Sequence, residues 1–148
     1  MPIENFKGYS CCELKMPAGD RIICFYYRNN APRSSVEDGN RNVFRVNKKG
    51  EVIWQITRID HPGTNWDHKH ESARKKGREG CIEPFIAFVL RYPDGTSSMD
   101  DGNLPPDSQT WVPGCQVELA NLGLGSQWFT LDVDSGVAVE ITPKGRPW

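Results

Sequence analysis

The chain has 148 residues, with 18 basic and 19 acidic side chains and a formal net charge of -1 at pH 7. This balance excludes the strong electrostatic footprint of a typical nucleic-acid-binding or anionic-membrane-binding domain. The apolar runs are too short to span a bilayer, and the first ten residues lack the apolar region of a secretory signal. The length predicts one domain that spans residues 1–148.

Nine segments are typical of β-strands because they combine β-branched and aromatic residues with turn signals at both ends. They are residues 11–16, 21–27, 43–46, 52–56, 84–92, 111–112, 116–122, 128–132 and 137–141. The segments 21–27 and 84–92 are apolar almost throughout, which indicates strands that are covered on both faces. No window has the sustained 3.6-residue periodicity of a helix.

The residues between these segments follow a repeated pattern, in which two turn-forming residues precede a glycine. It occurs at Gly19, Gly50, Gly95, Gly136 and Gly145. Such a glycine can adopt a positive φ and close an antiparallel hairpin. The pattern predicts an all-β, antiparallel fold of about 8–10 strands. It does not distinguish a β-sandwich from a flattened barrel, because strand order is invisible to local pattern.

The clearest hairpin is formed by residues 43–56, VFRVNKKGEVIWQI, with its turn at Gly50. Val52, Trp54 and Ile56 occupy every second position, as expected for one apolar face of a strand. We therefore predict that these three side chains share a face and that Trp54 is buried.

Five cysteines are present, and none forms a CxxC pair; they are Cys11, Cys12, Cys24, Cys81 and Cys115. The odd number and the spacing argue against a disulfide framework and against a zinc ribbon. We interpret these residues as reduced thiols in a cytoplasmic protein.

The strand pattern disappears between residues 60 and 80, which form one long polar insertion. A loop of this length in a compact domain is usually functional or disordered. It contains all three histidines of the chain, His61, His68 and His70. Two imidazoles at positions i and i+2 of an extended segment share a face and can converge on one metal ion.

The order His61-Pro62-Gly63 followed by His68-Lys69-His70 resembles the first metal-binding motif of the cupins, which are small metal-binding barrels. The resemblance implies a divalent metal held by the three histidines. The sequence departs from that motif, since the glycine is one residue too close and Arg74 and Lys75 occupy the positions where a glutamate is expected.

The same insertion carries a basic cluster beside a tryptophan, namely Trp66, Lys69, Arg74, Lys75 and Lys76. These cations oppose the binding of a dication and favour an anionic substrate or partner. Nucleic acid is a less favoured partner, because the rest of the chain has no basic surface signal.

The preferred interpretation is a non-catalytic, intracellular binding or assembly module without a cofactor, with residues 60–80 as its functional surface. The alternative is a small cupin-like, metal-dependent enzyme that uses His61, His68 and His70. No catalytic residue is assigned, because no nucleophile elbow, phosphate loop or dinucleotide fingerprint is present. The oligomeric state and the identity of the partner are left open.

Overall fold

The computed structural model describes residues 2–26, 41–60, 71, 85–99, 105–120 and 127–141. These residues form two five-stranded β-sheets that pack face to face. The ten strands in these ranges are β1 Ser10–Lys15, β2 Arg21–Tyr26, β3 Val43–Val46, β4 Val52–Gln55, β5 Thr57–Ile59, β6 Ala87–Arg91, β7 Ser108–Thr110, β8 Gln116–Ala120, β9 Trp128–Leu131 and β10 Val137–Glu140. A short 3-10 helix, Pro2–Phe6, precedes β1. No helix within these ranges is long and apolar enough to cross a membrane.

Sheet I has the strand order β4-β3-β2-β1-β7, and sheet II has the order β5-β10-β9-β8-β6. The all-β prediction is therefore confirmed, as an open sandwich. The flattened barrel, which the sequence left open, is wrong because the two sheets formed by the described residues do not join into one closed barrel.

Each sheet contains one parallel pair at its edge, β1 with β7 and β5 with β10, while the other pairings are antiparallel. The prediction of a purely antiparallel fold missed these two pairs. Parallel neighbours need a long crossover connection, and a local sequence pattern carries no information about such a connection.

The main core lies between the two sheets, where alternate residues of each strand point inward. Its fully buried members include Leu14, Ile22, Val43, Phe88, Leu90, Leu119, Phe129 and Ala138. The strands β2 and β6 are buried on both faces, as predicted from their apolar runs.

A second apolar cluster covers the outer face of sheet I. Phe6, in the 3-10 helix, is 1% exposed and packs against Tyr9, Phe25 and Phe44 with ring centroids 5.2–5.6 Å away. The ring of Phe25 lies parallel to that of Phe6, and the other two rings meet it edge-on. The N-terminal residues therefore cover apolar strand positions that would otherwise face water.

The predicted hairpin 43–56 is present as β3 and β4. The Gly50 N–H donates to the Asn47 carbonyl over 2.9 Å, and Gly50 has a φ of +83°. The same positive φ occurs at Gly19, Gly95 and Gly136, while Gly145 lies outside the described residues. The turn prediction is confirmed at the four glycines that can be compared.

The predicted apolar face of β4 is partly wrong. A β-bulge shifts the pairing between Arg45 and Val46, so that Val46 pairs with Val52 and Arg45 with Trp54. Val52 packs against the aromatic cluster outside sheet I, whereas Trp54 packs against the main core. One extra residue in a strand reverses the side on which the following residues lie, and alternation alone cannot reveal it. Trp54 is half-buried rather than fully buried.

A second correction concerns residues 111–112, which were predicted to be a strand. The strand is instead β7, and it ends at Thr110. Three polar residues pair with β1 at this edge, so the aromatic and β-branched pattern that marks the other strands is missing.

One continuous run of chain supplies an edge strand to both sheets. β4 ends at Gln55, and β5 begins at Thr57, with the buried Ile56 between them. The Ile56 N–H donates to the Val43 carbonyl in sheet I, and the Thr57 N–H donates to the carbonyl of Gly136, directly before β10 of sheet II, each over 2.9 Å.

Candidate binding site

The insertion that the sequence singled out follows β5 and precedes β6. Its predicted functional residues lie outside the described part of the chain, so their roles stay predictions. They are the candidate ligands His61, His68 and His70 and the binding-surface residues Trp66, Lys69, Arg74, Lys75 and Lys76. Asp60, the first residue of the insertion, and Phe85, five residues after its last residue Gly80, are described together with the side chains that hold them.

The two ends of the insertion meet around a single arginine. Arg58, on β5, places its guanidinium carbon 4.8 Å from the centre of the Phe85 ring and 4.9 Å from that of Phe129. A guanidinium at this distance from an aromatic ring gains a cation–π attraction, which is stronger where water is excluded. The residue two positions before the insertion therefore contacts the first described residue after it.

The start of the insertion, at Asp60, is fixed by a buried ion pair. Arg58 Nε donates to Asp60 Oδ1 over 2.9 Å, and the two side chains are only 5% and 12% exposed. Residues i and i+2 of an extended chain lie on the same side, which brings these two charges together. A buried pair of this kind is costly to break, because the remaining charge would be left without compensation.

Gln127, which directly precedes β9, joins this ion pair to β10. Its amide oxygen accepts from Arg58 Nη2 over 2.9 Å, and its amide nitrogen donates to Asp60 Oδ2 over 3.2 Å and to Glu140 Oε1 over 2.8 Å. Gln127 is 3% exposed. One guanidinium and two carboxylates are thus connected through one amide, and the end of β5 is fixed against the adjacent strands of sheet II.

The chain after the insertion, at Phe85, is fixed by Asn42, which directly precedes β3 and is 1% exposed. Its side-chain oxygen accepts from the Phe85 N–H over 3.1 Å, and its nitrogen donates to the Phe85 carbonyl over 2.7 Å. The same nitrogen lies 2.6 Å from the Phe25 carbonyl. A single amide thus satisfies both backbone groups of Phe85 and links β6 to sheet I.

Two thiols also contact the backbone after the insertion. Cys24 Sγ donates to the Phe85 carbonyl over 3.1 Å, and Cys12 Sγ contacts the Ile86 carbonyl at 3.6 Å. Burial raises the pKa of the Cys24 thiol well above its usual range, so this group stays a neutral donor. The cysteines at 11, 12, 24 and 115 are free thiols, and Cys81 lies outside the described residues.

The arrangement is suited to holding a segment in place. Arg58, Asp60 and Gln127 direct their polar atoms at one another, and Asn42 directs its atoms at the backbone. Within the described ranges, no group of three or more His, Cys, Asp or Glu could hold a metal ion. The metal hypothesis concerns His61, His68 and His70, which lie outside these ranges, and it stays a prediction.

Sequence reasoning found the insertion but missed the residues that anchor it. Arg58 and Asp60, two positions apart in a strand, were the available signal for an ion pair on one face. Gln127 and Asn42 gave no comparable signal, because each lies 43 or more residues along the chain from its main partner.

Comparison with known proteins finds no match to this chain. No protein-family model matches the chain, and neither a curated protein nor a solved structure matches it. Any functional proposal therefore depends on the geometry around Arg58 and Asn42 and on the composition of the insertion.

Proposed function

We propose that this protein is a non-catalytic, intracellular binding or assembly module, and that residues 60–80 contact an anionic surface on a partner protein. The observation that carries the proposal is the double anchorage of the insertion. Asp60 is held by Arg58 and Gln127, and Phe85 is held by Asn42. A segment that is flanked on both sides by fixed residues loses less conformational entropy when it binds than one attached by mobile connections.

The charge of the insertion supports an anionic partner. Five cations, Lys69, Arg74, Lys75, Lys76 and Arg78, lie within ten residues of one another in a chain whose formal net charge is -1. A local concentration of one charge attracts a surface of the opposite sign and increases the rate of association. Trp66 adds an aromatic side chain of the type that is enriched at protein interfaces.

The free thiols in the described part of the chain support an intracellular location, since reducing compartments keep cysteines unpaired. This part of the proposal is tested by locating the tagged protein in fractionated cells. Recovery of the protein with oxidised cysteines from a secreted fraction would contradict it.

The binding proposal is tested with a fluorescent polyglutamate peptide, whose anisotropy is measured against increasing protein concentration. The variant Arg74→Ala/Lys75→Ala/Lys76→Ala should bind at least about tenfold more weakly, because attraction between the opposite charges is lost. Added salt should weaken wild-type binding and reduce this difference.

The matched control removes three cations from the body of the sandwich, Lys7, Lys15 and Lys48, which are all exposed. The control variant has the same net charge as the first one and should bind like wild type within about twofold. An equal loss of affinity in the two variants would mean that peptide binding depends on net charge alone, and would contradict a dedicated surface. Tighter binding to single-stranded DNA of equal length would favour nucleic acid over an acidic protein partner.

A further inference from the structure

The outer face of sheet II carries an uncharged surface on three adjacent strands. Because Phe129, Leu131 and Ala138 point into the core, the alternate residues point outward. The outward residues are Thr57 and Ile59 of β5, Trp128 and Thr130 of β9, Val137 and Val139 of β10, and Ile141 just after it. We call these residues the sheet II patch.

Three large apolar side chains of the patch are exposed. Ile59 is 48% exposed, Val139 is 43% exposed and Ile141 is 39% exposed. These side chains are large, apolar and close together on neighbouring strands. Contiguous exposed apolar surface of this kind marks an interaction site more often than scattered apolar residues do.

Among the residues that the structure describes, the charged side chains next to the patch lie at its borders. Asp132 follows the end of β9 and is exposed. On the other side, Glu118 of β8 is already paired with Arg91 over 2.8 Å. The centre of the patch, around Val139, can therefore meet another uncharged surface without leaving a charge unpaired.

We propose that a second copy of this chain covers the sheet II patch, so that two sandwiches pack back to back about a two-fold axis near Val139. An isologous contact needs a surface that complements itself, and an uncharged face satisfies this because no like charges meet. An exposed face of three strands can be matched by another sheet, since sheets stack face to face at about 10 Å.

The other outer face of the molecule is a poorer partner for the patch. It carries Glu13, Lys15 and Arg21 on β1 and β2, and its apolar part is already covered by Phe6 and Tyr9. A contact between the two different faces would desolvate the Glu13–Arg21 ion pair and would bury the ammonium group of Lys15 against an uncharged surface. The symmetric contact avoids that cost.

The size of the patch sets the strength of the expected dimer. Three strands about 4.8 Å apart and about five residues long give a projected area of roughly 240 Å², against about 800 Å² per partner in a standard interface. The patch is therefore the centre of a small interface. We expect a reversible dimer with a dissociation constant of about 0.1–1 mM.

Sedimentation equilibrium of the full chain, from about 10 µM to about 1 mM, tests the proposal. Wild type should show a monomer–dimer equilibrium over this range. Val139→Lys should remain monomeric, because two ammonium groups would meet near the axis. Ile59→Lys is a second variant on the neighbouring strand, and it should weaken the dimer at least about fivefold.

The matched control is Ile53→Lys, on the edge strand of sheet I. Ile53 is 48% exposed, like Ile59, but it lies outside the patch, so this variant should dimerise like wild type. Thermal unfolding of every variant shows whether it is folded. A wild type that stays monomeric at about 1 mM, or a dimer that persists in both Val139→Lys and Ile59→Lys, overturns the proposal.

A small apolar ligand is the competing occupant, because Thr130, Leu131, Asp132, Val137 and Val139 line an open depression of about 450 Å³. Its probe is the dye anilinonaphthalene sulfonate. Saturable binding of one dye to a monomeric wild type, lost in Val139→Lys but kept in Ile53→Lys, would replace the second copy with a small ligand.

Discussion

The two outer faces of this sandwich differ in how the chain covers them. On sheet I, the N-terminal residues place Phe6 and Tyr9 over Phe25 and Phe44, so that this side has its own small aromatic core. On sheet II, the side chains around Val139 are large and apolar but stay exposed. The comparison teaches that the stabilising value of an outward apolar residue depends on what lies over it. The same residue type can carry stability on one face and be available for contact on the other.

The largest expected effect tests the covered face. Phe6→Ala should lower the free energy of unfolding by about 3–5 kcal/mol, because it removes a fully buried ring and leaves a cavity beneath the N-terminal residues. Urea denaturation measures the change. Lys7→Ala, next to it and exposed, should change stability by less than about 0.5 kcal/mol. Similar midpoints for Phe6→Ala and wild type would show that the cover contributes little.

A smaller effect is expected where the two sheets touch at Gly136. A Cβ atom at this position would lie 2.5 Å from Cδ2 of Trp54, and the φ of Gly136 is +78°. Gly136→Ala should therefore cost about 2–4 kcal/mol, from both backbone strain and overpacking.

Gly95 provides the control for this variant. It has a φ of +90°, and nothing lies within 4 Å of the Cβ position. Gly95→Ala should cost only the strain, about 1–2 kcal/mol in denaturant unfolding. If the two variants lose the same stability, the contact between Trp54 and Gly136 does not help to join the sheets.

The next prediction compares two valines that point outward from sheet II. Val139 is 43% exposed and Val89 is 0% exposed. Val139→Thr should change the free energy of unfolding by less than about 0.5 kcal/mol, because its hydroxyl stays in water. Val89→Thr should cost about 1–3 kcal/mol, because the same hydroxyl becomes buried. Equal costs would mean that the patch around Val139 is covered in solution at the concentration used.

No effect is expected from metal ions. Zinc, manganese or ferrous iron should leave the melting temperature unchanged, because five cations flank His68 and His70 and oppose a dication. A metal that bound only the folded chain would raise the melting temperature by mass action. One equivalent of tightly held metal, lost in His68→Ala, would support the metal-dependent enzyme instead.

The parts of the fold that sequence predicts are those in which the interacting residues are close along the chain. The turn at Gly50 and its analogues are local, since a glycine and its two predecessors contain the whole signal. The parallel edge strands β5 and β7 are not local, and neither is the cover provided by Phe6. The bulge near Ile53 is also local, but the alternation of residue types does not reveal it. The prediction from sequence therefore put Val52 on the wrong face of β4.

The candidate site divides in the same way. Composition alone identified residues 60–80, because a polar stretch interrupts a series of strands. The anchors did not follow from composition, because Gln127 lies 69 residues from Arg58 and Asn42 lies 43 residues from Phe85. Buried polar side chains of this kind are recognised only when the fold brings them together.

The shared edge from β4 to β5 has a consequence for how the molecule opens. Ile56 is buried, and the amide hydrogen bonds on either side of it belong to different sheets. Neither sheet can separate at this side without disturbing the backbone of the other. The slowest-exchanging amides of β3 and of β10 should therefore exchange with deuterium at the same free energy, as members of one cooperative unit.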